Sequence, residues 1–304
     1  MNAQPQGMAS MAPNLDLDWT RDGPSWPLHQ YSRFVDAGGL NWHVQQLGTG
    51  PVLLLLHGAG SSAHSWHRIA PLLAEHWSVI ALDLPGHAFT RGVPEHGLSL
   101  GGMSHAVGAL LRALGVKPRL AIGHSAGAAI ATRLVFDRYY SPRMLISLNG
   151  VLASFDRRYE VLFSPLAKML AAMPFTPRLF SWRARDRGAT ERLIASTGSR
   201  LEPADIDLYW RLVQSPRHLA GVLQMMSQWN ISELAQQLPQ LSTPLVQLVA
   251  SHDRTVPPFA AERVRELLPA ASIRSLPGLG HLAHEENPEL VAQAIAEAAQ
   301  VLLA

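Results

Sequence analysis

The stretch LAIGHSAGAAIATRLV, residues 120–135, decides how this chain reads. Leu120–Ile122 is a short apolar run of the kind that lies buried in a sheet, and Ala128, Ile130, Leu134 and Val135 continue it as a helix. Between them stands Gly123-His124-Ser125-Ala126-Gly127. A strand, a G-x-S-x-G turn and a helix together lift a serine hydroxyl above the edge of a sheet. The glycines two before and two after the serine leave room for the turn, because no Cβ crowds the neighbouring elements. The helix N-terminus that follows favours negative charge developing beside it. The plainer alternative is a Gly/Ala-rich helix start with Ser125 as N-cap.

A hydroxyl is a weak nucleophile near neutral pH, and it needs a base that is itself oriented by a third group. Behind such turns the partners follow in the order serine, acid, histidine. Asp253 lies just beyond the apolar run Leu245–Ala250, and His281 just beyond Ser272–Leu276. Both fall at the carboxyl ends of predicted strands, where open α/β sheets collect their sites. The expected roles are Ser125 as nucleophile, His281 as base and then acid, and Asp253 as orienting carboxylate. His252 and His284 are rivals. His281 is preferred because Gly280 frees its loop and it lies nearer the strand end, whereas His284-Glu285-Glu286 reads as the start of the last helix. Asp83 also ends a strand but precedes Ser125, and it reads as a loop-fixing carboxylate over Gly86-His87.

An acyl-transfer site also needs fixed N–H donors for an oxyanion. The amide of Ala126 and that of Ala59, in His57-Gly58-Ala59-Gly60 after the run Val52–Leu56, are the expected pair. His57 itself reads as structural. The same loop fits a dinucleotide fingerprint, Gly58-Ala59-Gly60-Ser61-Ser62-Ala63, with Asp83 about 20 residues on. A hairpin precedes its strand, however, and that reading leaves Ser125, Asp253 and His281 unexplained.

Working outward, Tyr31–Asp36 and Leu40–Gln46 flank Ala37-Gly38-Gly39 as a hairpin. Val52–Leu56, Val79–Leu82, Leu120–Ile122, Met144–Leu148, Leu245–Ala250 and Ser272–Leu276 read as strands. Helical stretches lie between them at about 65–75, 99–114, 126–139, 258–268 and 288–303. This alternation predicts an α/β fold: a mostly parallel sheet of about eight strands with helices on both faces. It stops between 152 and 241, which reads as a helical cap inserted into a core of residues 29–151 and 242–304. Residues 1–28, rich in Gln, Pro, Met, Ala and Asn, read as a flexible arm whose Trp19 and Trp26 can pack on the body.

In the cap, Leu162, Leu166, Met169, Leu170 and Met173 recur at helical spacing, and Met225, Met226 and Trp229 follow later. Ordinary packing explains such a stripe. The functional reading is an apolar roof, with Leu162, Leu166, Met169 and Met226 joining Gly58 and His124 around a bulky substrate; methionine adapts to irregular shapes. Arg178, Arg183, Arg185, Arg187 and Arg192 read mostly as a solvated face, with carboxylates or anionic lipid headgroups as the alternative contacts.

Composition bounds the rest. In 304 residues, 47% are hydrophobic and 16% charged, enough apolar material for one large domain. A net charge of +2 without a dense Lys/Arg tract argues against a nucleic-acid partner. There is no cysteine, which removes a thiol nucleophile, disulfides and thiolate metal sites and fits a reducing cytoplasm. Residues 1–17 lack the basic and apolar regions of a signal peptide. The run Val52–Leu56 is far too short to span a bilayer, so membrane contact is expected to be peripheral at most. Among 14 histidines only His64–His67 and His281–His284 are close pairs, and no HExxH accompanies them. No metal and no cofactor is expected.

With these residues in place, the chain from about Leu15 onward resembles the α/β-hydrolase superfamily. Within it the chain is similar to the magnesium-chelatase accessory proteins of bacteriochlorophyll biosynthesis. The general matches are HGAGSSAHSW (57–66), DLPGH (83–87), GHSAGAAI (123–130), DRTVPP (253–258) and PGLGHLAHEENP (277–288). More specific are SRFV (32–35), AGGLNWHVQ (37–45), SLNG (147–150), FSPLAKMLA (163–171), PRLFSWRA (177–184) and STGSRLEP (196–203). Ala88 and Thr90 depart from the superfamily, where Gly and Ser are usual. Ser125 in place of an aspartate separates the chain from dehalogenases and epoxide hydrolases. The resemblance implies a photosynthetic bacterium, a tetrapyrrole as the small hydrophobic substrate, and magnesium chelatase as partner. The expected function is ester or acyl hydrolysis through an acyl-Ser125 intermediate. The alternative is a non-hydrolytic tetrapyrrole-binding protein that assists the chelatase, and a cofactor-free haloperoxidase-like or carbon–carbon bond hydrolase shares the same triad.

Overall fold

Four leucines in a row at residues 53–56 cannot alternate between core and solvent; they suit a strand covered on both faces. The computed structural model, which describes residues 15–154 and 186–302, places them so. Strand β3 (Val52–Leu56) lies between β4 (Ser78–Leu82) and β6 (Leu120–His124), parallel to both. Its side chains divide with the period of two. Leu54 and Leu56 enter one core cluster, and Leu53 and Leu55 enter the other.

The full path is β1-β2-β4-β3-β6-β7-β8-β9, with β5 (Arg91–Gly92) pairing only with β2. Here β1 is Ser32–Ala37, β2 Leu40–Leu47, β7 Met144–Leu148, β8 Leu245–Ala250 and β9 Ser272–Leu276. The hairpin β1–β2 and the β2–β4 pair are antiparallel; from β4 to β9 every pair is parallel. One face is covered by α3 (Leu100–Leu114) and α4 (Ala126–Phe136). The other carries α2 (Ala70–Leu73) and α11 (Pro288–Ala299). This is the expected α/β architecture, with eight strands along the main path.

Two expected helices are shorter than the pattern suggested. The stretch 65–75 splits into a 3-10 turn, Ala63–Trp66, and α2, because Pro71 can occupy only the first turn of a helix. The helix expected over 126–139 ends at Phe136, and Arg138 beyond it has φ +57°. Between β7 and β8 the described residues form α5 (Arg187–Ser196), α6 (Pro203–Gln214), α7 (Pro216–Gln228) and α8 (Ser232–Gln237). Pro203 and Pro216 open α6 and α7, where a missing N–H costs no helical bond.

The expectation of a flexible arm over 1–28 fails for its described part. Residues Trp19–Asp22 form α1, capped by the Asp18 carboxylate, which accepts from the Thr20 and Arg21 amides. Leu17 and Trp26 are buried with Phe89, Leu208 and Leu212 in a third apolar cluster. The Arg211 guanidinium lies 5.0 Å over the Trp26 ring and bonds Asp22. Two tryptophans offer more apolar area than the polar composition around them suggests. Among the described residues no helix is long and apolar enough to cross a membrane.

Replacing Trp26 by alanine removes the centre of that cluster. We expect Trp26→Ala to cost about 3–5 kcal/mol and Leu55→Ala about 2–5 kcal/mol, read from the denaturant midpoint.

Candidate active site

The turn at residues 123–127 is forced by close approach. A Cβ on Gly123 would sit 2.3 Å from the Ala128 nitrogen, and one on Gly127 would sit 2.2 Å from the Leu56 carbonyl oxygen. Ser125 between them has φ +52° and ψ −119°. A non-glycine residue held there stores on the order of 1–3 kcal/mol. Its amide donates to the Leu148 carbonyl at 3.1 Å, and its carbonyl accepts from Ala128 and Val151. The Ser125 hydroxyl does not cap α4, which removes the plain N-cap reading. It is half-buried and makes no hydrogen bond among the described residues.

Asp253 and His281 do meet. His281 Nδ1 lies 2.7 Å from Asp253 Oδ2, and the second carboxylate oxygen accepts from the Thr255 and Val256 amides at 2.7 and 2.8 Å. Both side chains are buried. The backbone of His281 is held independently of its ring: its carbonyl accepts from His124 Nε2 and from Asn149 Nδ2, each at 2.9 Å. Asn149, at φ +47°, also accepts from the Ala250 amide through its Oδ1 and so ties β8 to this loop. The rivals are elsewhere: His252 is exposed, and His284 is buried against Trp66 at 4.4 Å between ring centres. Gly280 serves close approach, not loop freedom, since a Cβ there would lie 2.4 Å from Gly198.

The loop after β3 is gripped by three imidazoles. His57 accepts from the Leu84 amide at Nε2, so its Nδ1–H donates to the Gly58 carbonyl at 2.7 Å. His87 Nε2 accepts from the Gly60 amide. His218, on α7, accepts from the Ala88 amide and donates to the Gly60 carbonyl at 3.2 Å. Peptide groups on both sides of Ala59 are thereby fixed. Ala59 is exposed, Ala126 is not, and neither amide has a partner among the described residues. Gly58 packs on Ser125, where a Cβ would come within 2.9 Å of the serine Cβ.

Asp83 is the loop-fixing carboxylate the sequence suggests, accepting from the Ala63 and Phe89 amides and from His43 Nδ1. Burial alone would raise its pKa, but His43 and these donors hold it well below the usual carboxylate range.

His124, expected at the substrate, is fully buried, and its ring packs on His281 at 4.7 Å. It supports the His281 backbone, because its Nε2 is committed to the His281 carbonyl. Met226 is half-buried on α7; Leu162, Leu166 and Met169 lie outside the described residues, as do Arg178, Arg183 and Arg185. Sequence reasoning missed Asn149, His218 and Tyr209 as site supports, since nothing local marks a contact made across the chain. It also missed Glu95, His96 and His105, whose ligand atoms lie within 4.8 Å of one another.

The pattern of the alpha/beta hydrolase fold family matches residues 51–288. The chain belongs to the α/β-hydrolase fold family. It is 36% identical over 263 residues to the magnesium-chelatase 30 kDa subunit of Rhodobacter capsulatus, across 86% of this chain and 92% of that one, and groups with it inside the family. It is 26% identical to the pyrrolizixenacetamide deacetylase of Xenorhabdus hominickii, across 80% and 88% of the two chains. A thermophilic esterase from Thermogutta terrifontis shares the fold, with a TM-score of 0.71 at 24% identity over 90% of this chain and all of that one.

Several imidazoles are buried around the site. Burial holds His57, His87, His124 and His218 below the ordinary histidine value, His218 down to about 4; neighbouring histidines add to the effect at His87 and His124. His284 is pushed down to about 3, first by burial and then by His281 and His67. In the unfolded chain these groups titrate near 6.5. Between about 4 and 6.5 the unfolded state therefore binds more protons, and stability falls as pH drops through that window. The slope is roughly 1.4 kcal/mol per pH unit for each such histidine. Denaturant unfolding at pH 7 and pH 5 should show a much lower midpoint at pH 5, and His284→Gln should flatten the difference.

Proposed function

We propose that this chain is a serine hydrolase that cleaves an ester or acyl bond in a bulky apolar substrate. The observation that carries the reading is the 2.7 Å Asp253–His281 pair, packed against His124, with the adjoining Ser125 held at φ +52° in the turn from β6 to α4. Ser125 is the nucleophile, His281 the general base, and Asp253 the carboxylate that keeps the Nδ1 proton in place, leaving Nε2 to accept. As Ser125 Oγ attacks the substrate carbonyl, its proton passes to His281 and the carbonyl electrons move onto oxygen. The amides of Ala59 and Ala126 receive that oxyanion. Collapse expels the leaving group, which takes the proton from His281. Water then attacks acyl-Ser125 by the same route, releasing the acid and restoring the serine.

The helices α5–α8 form the described part of the cap, residues 152–241, over the core of 29–151 and 242–304. Met226 supplies part of the apolar roof and Gly58 the floor beside Ser125; Leu162, Leu166 and Met169 lie outside the described residues. The deacetylase relative supports acyl transfer, and the name of the R. capsulatus relative supports an association with magnesium chelatase. A tetrapyrrole ester is accordingly the substrate proposed, in the cytoplasm, with any membrane contact peripheral.

A fluorophosphonate should add one adduct, on Ser125, and aryl esters should be turned over. Ser125→Ala should abolish the adduct and lower turnover by at least about 10³-fold. Absence of both adduct and turnover in the intact chain removes the proposal.

One observation favours a second reading: the relative named for a chelatase carries no hydrolase activity in its name, so a tetrapyrrole held under the cap without hydrolysis fits it as well. Full recovery of pigment synthesis by Ser125→Ala in a strain lacking the gene would establish that reading over the hydrolytic one.

A further inference from the structure

Glu285 is the one buried acid of the His281 segment that the proposed reaction does not use. Its side chain has no solvent exposure, its Oε1 accepts from the Tyr209 hydroxyl at 2.7 Å, and its Oε2 has no partner. Tyr209 stands on α6, and its oxygen is also 3.2 Å from Ser61 Oγ. With the tyrosine proton committed to Glu285, Ser61 is the donor in that second bond. The result is a one-directional chain, Ser61 to Tyr209 to Glu285, running from the β3 loop through an inserted helix to the segment after His281. Ser61 closes the turn around Ala59 by donating its amide to the Gly58 carbonyl at 3.3 Å. One residue earlier, His218 on α7 holds the Gly60 carbonyl.

We propose that the cap completes the oxyanion loop, with Tyr209 and His218 as positioning residues that hold residues 58–61 so that the Ala59 amide faces the substrate's carbonyl oxygen. This rests on Ala59 being an oxyanion donor. Two independent bonds from two different helices converge on adjacent residues of one loop, and both fail together if the helices lift. Glu285 acts as a neutral acid whose carbonyl oxygen anchors the chain. Burial raises its pKa well above the usual range, Asp205 and Glu286 push the same way, and Tyr209 and Arg68 oppose without reversing it. The other groups facing it are His284, with Nε2 3.8 Å away, and Arg68, which donates to the Glu285 backbone carbonyl.

The test reads hydrogen exchange in a peptide covering 57–63 of the full chain, together with aryl-ester kinetics. Tyr209→Phe, which keeps the ring and its packing, should speed exchange there at least tenfold. It should lower kcat roughly 10- to 100-fold with KM little changed, the cost of a displaced donor. Ser61→Ala cuts the same bond from the loop side and should behave alike, so a folding defect in one variant does not decide the matter. Glu285→Gln keeps a carbonyl acceptor and should match the parent, whereas Glu285→Leu should copy Tyr209→Phe. Parental exchange at 57–63 in both Tyr209→Phe and Ser61→Ala overturns the proposal, as does faster exchange with unchanged kcat. If the parent turns over no ester, the hydrolytic reading has failed, and exchange alone then decides whether the cap holds the loop.

Discussion

The constraint on which the rest depends is the contact between the first turn of α4 and the end of β3. The backbone of Gly127 lies so near the Leu56 and His57 carbonyls that even a methyl group would overlap both. That contact locks the helix start against the central strand, and the chain can then pass from β6 to α4 only by a turn that drives Ser125 to positive φ. The strain is offset by bonds on both sides of the serine: its amide is tied to β7 and its carbonyl to α4 and Val151. The geometry of the hydroxyl, the direction of the Ala126 amide and the seating of Gly58 on Ser125 all follow from one crowded crossing.

Around it the protein uses neutral imidazole where an ion would be expensive. A charged group with no exposure costs several kcal/mol unless paired, whereas a neutral imidazole is one donor and one acceptor of fixed direction. His57 reads the ends of β3 and β4, and His218 reads Ala88 and Gly60. His124 supports the His281 backbone. Each ring ties together loops that leave different elements, so side chains add to the backbone bonds that cross the rim of the sheet. Asp83 is held low because three donors meet its carboxylate.

Much of this was legible along the chain, because it is written in local pattern. The leucines of β3, the glycines about Ser125 and the punctuation Asp253 and His281 place after their strands all act within a few residues. The arm was misread because Trp26 finds its partners, Phe89 and Leu212, far along the chain. Asn149 enters the sequence reading only within the SLNG stretch, although its side chain bridges the β8 end and the His281 loop, and His218 passed unremarked. A contact between residues more than a hundred apart leaves no periodicity to read. His124 shows the limit from the other side: its neighbour is the serine, yet its own side chain points away into the core, as alternation in a strand requires.

The division also bears on how one fold serves many reactions. The elbow, the Asp253–His281 pair and the β3 loop belong to the sheet and its immediate turns, and their geometry follows from packing that any member of the family must satisfy. The contacts from α6 and α7 to that loop are of another kind. They are made by a segment inserted between β7 and β8, through a tyrosine and a histidine whose identities the core does not dictate. A lineage can change the roof over the site and, in the same step, change how firmly the Ala59 peptide is held. On the proposed reaction, substrate shape and the stabilisation of developing charge are coupled physically, because α6 and α7 would enclose the one and brace the other.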